Sequence, residues 1–341
     1  MQGIEAKKEI LKKNPQKKTD IEKISKRVLE GDIWAAAKLI RMAEEEDMRI
    51  YSALEYLHPH TANAYILGVT GLPGSGKSTI VNYLIKHYRS QGKSVGVIAV
   101  DPSSPITSGA ILGDRVRMIE HSKDSKVFIK SLATRGYYGG LSRSTLQIVN
   151  IMDAMGKDII IVETVGVGQT EASIMNSAHT TILVLVPEMG DYVQTIKAGV
   201  LEIGDIFVIN KIDKKDPLEL KLNLESLIRN NSEKNKSPFW EQKIIFASSY
   251  SGTGMDKLTQ TIEEHCLFFN SNLKKQYLKK RMLQEIEDEV LNYFIGFCRQ
   301  NLKDLISAED LVKEKSMEGK NPYKISGRII EKLLNLIRDK E

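Results

Sequence analysis

The residues best equipped for chemistry stand in one short run, Gly71-Leu72-Pro73-Gly74-Ser75-Gly76-Lys77-Ser78. Glycines at this spacing let successive backbone N–H groups curl around phosphate oxygens, and a helix opening just behind them adds the positive end of its dipole. Lys77 brings a charge that can bridge the outer phosphates, and the Ser78 hydroxyl is a hard oxygen suited to Mg²⁺. The pattern carries this meaning only between a strand and a helix. Here Tyr65 to Thr70 reads as a strand and Thr79 to His87 as a helix, so Gly74, Ser75, Gly76, Lys77, Ser78 and Thr79 are the expected triphosphate-binding residues. The competing reading, a glycine-rich turn with an incidental lysine, does not account for both flanks.

In open α/β sheets ligands collect at the carboxyl ends of the strands. Three polar features follow apolar runs there: Asp101 after Val95 to Val100, Glu163 after Ile159 to Val162, and Asn210-Lys211-Ile212-Asp213 after Ile206 to Ile209. The Asp213 carboxylate suits guanine, whose ring N1–H and exocyclic amine form a donor pair that adenine lacks. The Lys211 stem would cover the base plane, and Asn210 would either contact the base or tie its loop to the phosphate loop. Ser248 and Ser249, after Ile244 to Ala247, sit where a last base-contacting loop belongs. Mg²⁺ wants a few hard oxygens and keeps its waters. Ser78 with Asp101, Asp114 and Glu163 is the expected metal set, and Lys77, Glu163 and Asp101 are the expected catalytic residues. For Asp101 and Asp114 a cap or turn role competes with metal binding. Glu163, beside Thr164-Val165-Gly166, has few structural reasons to be where it is.

Positioning these groups requires a parallel sheet. Val127 to Leu132 and Thr181 to Val186 complete a set of seven candidate strands alternating with amphipathic stretches. The expected fold is α/β, a doubly wound, mostly parallel sheet of the P-loop NTPase kind with helical extensions at both ends. The expected division is an N-terminal helical extension over 1–62, a nucleotide domain over 63–268 and a C-terminal helical arm over 269–341. Ile24, Val28 and Leu29 share a helical face in the first part, and Gly31-Asp32 reads as a stop followed by a new N-cap. In the last part, Leu278, Met282, Ile286, Val290 and Phe294 mark one amphipathic helix and Ile329, Leu333, Leu334 and Ile337 another.

Composition narrows the classes. The 341 residues carry 49 basic and 44 acidic side chains, well interspersed, for a net charge of +5. Nothing gathers lysines with aromatics, so no nucleic-acid partner is expected. No apolar run approaches the ~20 residues of a membrane span, and no membrane association is expected. Cys266 and Cys298 stand alone, which excludes a disulfide framework and fits a reducing cytoplasm. Residues 1–20 are rich in lysine but lack a secretion signal's apolar core.

Taken together, the motifs resemble the methylmalonyl-CoA mutase-associated GTPases, the MeaB/ArgK group of the G3E P-loop GTPases, which includes the methylmalonic aciduria type A proteins. The likeness runs from about Gly31 to about Leu258. Beyond Gly68 to Thr79 it rests on Val100-Asp101-Pro102-Ser103-Ser104-Pro105, on Gly109 to Met118 with Asp114, on Thr134-Arg135-Gly136 with Gly139-Gly140-Leu141, and on Glu163 to Gln169. The stretch from Asp101 to Met118 is the most specific, because the phosphate loop is shared by many unrelated NTPases. The resemblance implies GTP/GDP and Mg²⁺ as ligands, with Ser78, Asp101, Asp114 and Glu163 at the ion, and a further mobile switch over Pro187 to Glu202. It also implies a homodimer joined through the C-terminal helices. The implied role is a GTPase chaperone for an adenosylcobalamin-dependent acyl-CoA mutase, gating cofactor delivery from a cobalamin adenosyltransferase and protecting or reactivating the mutase. Gly166 is followed by Val167 and not by a water-orienting glutamine, so slow intrinsic turnover is expected. Tyr137 and Tyr138 replace an expected His-Leu pair, and Ser249 replaces the usual alanine of the last base loop. The rival readings are a nickel-delivery GTPase, which would want a Cys/His-rich site, a kinase of periplasmic amino-acid-binding proteins, and a nucleotide-binding scaffold without hydrolysis.

Overall fold

The fold is seen in a computed structural model. It describes residues 15–101, 119–121, 123–133, 140–164, 177–189, 204–232, 240–308 and 321–338. The chain forms two compact units, Thr19–Lys274 and a second made of Met1–Lys18 with Lys275–Glu341.

The larger unit is organised by seven strands: β1 (Tyr65–Gly71), β2 (Val95–Asp101), β3 (Val127–Ala133), β4 (Ile159–Thr164), β5 (Thr180–Leu185), β6 (Ile206–Ile209) and β7 (Lys243–Phe246). They lie in the order β3-β2-β4-β1-β5-β6-β7, and every neighbouring pair is parallel. Parallel strands covered on both faces read as continuous apolar runs. β1, β4, β5 and β6 are buried along their whole length, with Ile160, Ile161, Ile182, Leu183 and Phe207 at zero exposure. The chain crosses from one side of β1 to the other between β4 and β5, which makes the carboxyl end of β1 the switch point where ligands gather.

Before the sheet run α1 (Pro15–Leu29), α2 (Ile33–Glu44) and α3 (Ile50–Leu57). Gly31 takes φ +82, and the Asp32 carboxylate then accepts from the N–H groups of Trp34 (2.8 Å) and Ala35 (3.1 Å), as the stop and N-cap reading predicts. The apolar stripe of these helices, including Val28, Ala36, Leu39, Ile40, Ala53 and Leu57, is part of the same core as Ile98, Leu132, Ile148 and Ile160. The preface therefore packs into the sheet's own unit, chiefly against α5 (Gly140–Ala154). Asp153 on α5 fixes the entry to β1: its buried carboxylate accepts from the N–H groups of Ala62 (2.6 Å), Asn63 (3.2 Å) and Ala64 (2.9 Å). On the other flank, α6 (Leu218–Ser232) lays Leu220 and Leu224 over Phe207 and Ile209.

Behind the phosphate loop lies α4 (Lys77–Ser90), and after β7 comes α7 (Met255–Phe268), followed by a π-turn at Phe269–Leu273. In the second unit, α8 runs through Lys274–Ala308, with its first residue still in the larger unit, and α9 is Pro322–Arg338. Asn321 caps α9 by accepting from Tyr323 N–H (3.0 Å) and Lys324 N–H (3.3 Å), with Pro322 at the first helical position. Ile329 and Leu333 of α9 are buried, whereas Met282, Leu283, Ile286, Val290 and Phe294 of α8 are exposed. Among the described residues no helix is long and apolar enough to cross a membrane.

Candidate nucleotide site

The phosphate loop joins β1 to α4, and its glycines are there for steric reasons. Gly71, Gly74 and Gly76 hold φ of +144, +78 and +94, which side-chain-bearing residues rarely adopt. A Cβ at Gly71 would land 2.2 Å from the Val184 carbonyl oxygen, and one at Gly76 would land 2.3 Å from Asn210 Nδ2. The loop is thus pressed against β5 on one side and the Asn210 loop on the other, with no room for a side chain at either contact. The first helical turn closes with the N–H groups of Thr79 and Ile80 both donating to the Gly76 carbonyl at 3.1 Å.

Lys77 is buried, and its Nζ donates to the carbonyls of Gly71 (2.8 Å) and Leu72 (2.9 Å). The ammonium is folded back across the loop and held by neutral acceptors. Hydrogen bonds between ionised partners are about twice as strong as neutral ones, so an incoming phosphate oxygen competes well for this donor.

Beside it the Ser78 hydroxyl donates to Glu163 Oε1 at 2.8 Å, with both side chains buried. Strand register explains the meeting: Glu163 is paired with Val69 on β1 and with Ala99 on β2, which puts its carboxylate at the carboxyl edge between the two. Next to it the Thr164 hydroxyl donates to Thr70 Oγ1 at 2.9 Å, bracing β4 to β1 behind the loop. A hydroxyl oxygen touching a buried carboxylate is a donor set that fits Mg²⁺, which takes hard oxygens and retains waters. Asp101 is the last residue of β2, two strands from β1; its side chain, and all of Asp114, lie outside the described residues. So do Gly166, Val167, Tyr137, Tyr138 and the switch segment beyond Met189.

On the base side, Asn210 is fully buried. Its Nδ2 donates to the Ser75 carbonyl (2.8 Å) and to Ser249 Oγ (3.1 Å), and its Oδ1 accepts from Ser249 N–H (2.9 Å). Of the two roles open to Asn210 in the sequence, this geometry is the tie: one amide locks three loops together. The Ser249 hydroxyl supplies one of these contacts. Lys211 adopts φ +62, a left-handed backbone that turns the chain sharply after β6. Asp213 is exposed, and its carboxyl is held below the ordinary aspartate range first by the Ser248 hydroxyl, then by its own backbone N–H, with Lys214 and Lys211 adding smaller effects. It therefore offers a full negative charge to a donor pair at neutral pH.

The structure thus brings together Ser75, Gly76, Lys77, Ser78, Glu163, Asn210, Ser248 and Ser249, with Asp213 held through Ser248. The sequence reading missed the Thr70–Thr164 brace, because only the β1–β4 register reveals that the two hydroxyls meet.

Residues 36–300 match the family model described as methylmalonyl-CoA mutase-associated GTPase MeaB. A protein of Pyrococcus horikoshii named as a putative GTPase is 42% identical over 92% of this chain and 98% of its own length. The mouse mitochondrial methylmalonic aciduria type A homolog is 36% identical over 67% of this chain and 56% of its own. Among solved structures, one described as a LAO/AO transport system kinase superposes with a TM-score of 0.61 at 22% identity, over 93% of this chain and 98% of that one, which establishes the shared fold.

Proposed function

We infer the activity from one premise: the chain belongs to the methylmalonyl-CoA mutase-associated GTPase MeaB family. On that footing it is a GTPase that acts as a chaperone for an adenosylcobalamin-dependent acyl-CoA mutase, gating cofactor loading and protecting or reactivating the enzyme. The observation that carries the nucleotide part is the Asn210 amide, which joins the phosphate loop at Ser75 to the last base loop at Ser249 and so makes cradle and base pocket one rigid receptor. The family name supports the mutase part.

In this reading GTP lies with its phosphates in the glycine cradle, and Lys77 turns from the Gly71 and Leu72 carbonyls to the β- and γ-phosphate oxygens. Ser78 and Glu163, with Asp101 and Asp114, would hold Mg²⁺, which would supply charge neutralisation to the phosphates. Asp213 accepts from the guanine N1–H and amine, while the Lys211 stem covers the ring. Water attacks the γ-phosphorus, the bond to the β–γ bridging oxygen breaks, and GDP and phosphate leave. Lys77 stabilises the charge that gathers on that bridge. Turnover is slow in the isolated protein and rises on contact with the mutase, and loss of the γ-phosphate releases the switch segments that the partner reads. The protein works as a homodimer in the cytoplasm, and a cobalamin adenosyltransferase is the further partner.

Single-turnover GTP hydrolysis, with and without methylmalonyl-CoA mutase, tests the reading. Slow hydrolysis that the mutase accelerates is expected; fast hydrolysis indifferent to the mutase would overturn the chaperone role.

A further inference from the structure

At the sheet edge opposite the phosphate loop, where β1 and β4 begin, a cavity of about 230 Å³ opens beneath α7. Its inner wall is apolar or aromatic, formed by Tyr65, Tyr88, Ile159 and Ile262. Four charged side chains line it: Lys93, Lys274, Asp158 and Glu263.

The two acids are already engaged by the protein. Asp158 Oδ2 accepts from both the N–H and the hydroxyl of Ser94 at 2.7 Å, and Glu263 Oε1 accepts from Gln91 Nε2 at 3.3 Å and lies 3.6 Å from His87 Nε2. Of the two lysines, Lys93 helps hold the Asp158 carboxyl low, against the upward push of burial and after the Ser94 hydrogen bonds, without forming an ion pair with it. Lys93 Nζ sits 5.3 Å from the centre of the Tyr88 ring, and among the described residues neither ammonium lies within ion-pair distance of a carboxylate. The wall is also braced by His179, itself part of the lining. His179 accepts from Ile66 N–H at 3.2 Å and stacks on Phe269 at 4.5 Å between ring centres. Phe269 opens the π-turn that delivers Lys274 to the rim. Such π-turns inside long helices are frequent at functional positions.

We propose that this cavity binds a small organic anion, a carboxylate carried on a flat apolar body, with Lys93 and Lys274 taking the charge and the Tyr65–Tyr88 wall taking the body. The volume lies below the ~300–1,000 Å³ common for drug-sized ligands, so the ligand is correspondingly small. Because the cavity and the phosphate loop occupy opposite ends of β1, the two sites fill independently.

The test uses the full chain and benzoate as the probe, followed by ligand-observed NMR in the presence and absence of saturating GDP. Benzamide serves as the neutral isostere and inorganic phosphate as the anion without an apolar body. Benzoate should bind saturably with GDP present, and benzamide and phosphate should each bind at least about fivefold more weakly. The double variant K93A/K274A, at two positions that face solvent in part, should keep its melting temperature and GDP affinity while losing about tenfold in benzoate affinity. No saturable benzoate binding to the unaltered protein, equal binding of benzamide or phosphate, or unchanged benzoate affinity in the double variant would each overturn the proposal. Failure of GDP to bind would count against the nucleotide reading and leave this one standing on the benzoate result.

Discussion

At the carboxyl edge of the sheet, three glycines hold positive φ and the buried polar groups Lys77, Ser78 and Glu163 face one another across the end of β1. At the amino edge the polar groups are just as buried, but they close on each other or on backbone: Tyr65, Thr180 and His265 share hydrogen bonds, and Asp153 takes three backbone N–H groups. The first arrangement leaves donors and acceptors that a ligand can claim, such as the Lys77 ammonium resting on neutral carbonyls. The second consumes them to fix where strands start. Apart from the cavity at Lys93 and Lys274, one sheet therefore separates nucleotide chemistry from the anchoring of its strands along its own axis, and substitutions in these two sets of residues should fail in different ways.

The largest contrast comes from Lys77→Ala. Loss of its charge from the transition state should lower single-turnover GTP hydrolysis by about 10²–10³-fold. One buried and one half-buried carbonyl lose a donor, so unfolding free energy should fall by no more than about 1–3 kcal/mol in urea titration. Hydrolysis at an undiminished rate would dissolve the functional character assigned to the carboxyl edge.

Next is Asp213→Ala, which should weaken GDP binding measured by calorimetry and remove the preference over ADP. The pH dependence has a definite sign. With the Asp213 carboxyl below its ordinary value of 3.8, the carboxylate stays charged as pH falls from neutral to 5, and guanine preference should stay flat across that window. It should be lost only as pH falls through the lowered value. Ser248→Ala removes the first cause of the lowering and should move that loss to higher pH.

At the other edge Asp153→Ala should cost about 2–4 kcal/mol of stability, since three backbone donors at the entry to β1 lose their acceptor. GDP affinity measured on the folded protein should not change. Asp153→Asn keeps the oxygen that serves Asn63 and Ala64 and should cost less.

This contrast also explains what the sequence could disclose. The phosphate loop and the Asn210 to Asp213 tetrad are local patterns whose chemistry depends on neighbours in the chain, and the strand runs that carry them are apolar enough to be read directly. Strand ends shifted by a residue or two, so that Asp101 closes β2 and Glu163 lies one residue inside the end of β4, where the reading put both just after their strands. Asp153 was invisible for the opposite reason. It sits in a helical stretch, and its partners are some ninety residues away, so nothing in its own surroundings marks it as an anchor. Thr70 and Thr164 needed register, and the packing of the first three helices into the sheet's core needed three dimensions. Amphipathic spacing says that a helix buries one face, not against what.

The finest test of the comparison is Thr180→Val, which keeps the side chain's shape and removes only the hydroxyl between Tyr65 and His265. Thr180 Oγ1 lies 2.7 Å from His265 Nδ1 and is hydrogen-bonded to the Tyr65 hydroxyl, and all three side chains are at most 9% exposed. Burial already pushes the Tyr65 hydroxyl's pKa upward, so the neutral phenol must find its partner inside the protein. With valine in place, Tyr65 retains only the longer 3.4 Å contact to His265. The expected cost is about 1–3 kcal/mol in urea titration, set by a buried polar group left short of a partner, with hydrolysis and GDP affinity unchanged. A Thr180→Val protein as stable as its parent but altered in nucleotide binding would mean that the two ends of β1 and β5 are coupled, and the division between a reactive edge and a structural one would have to be given up.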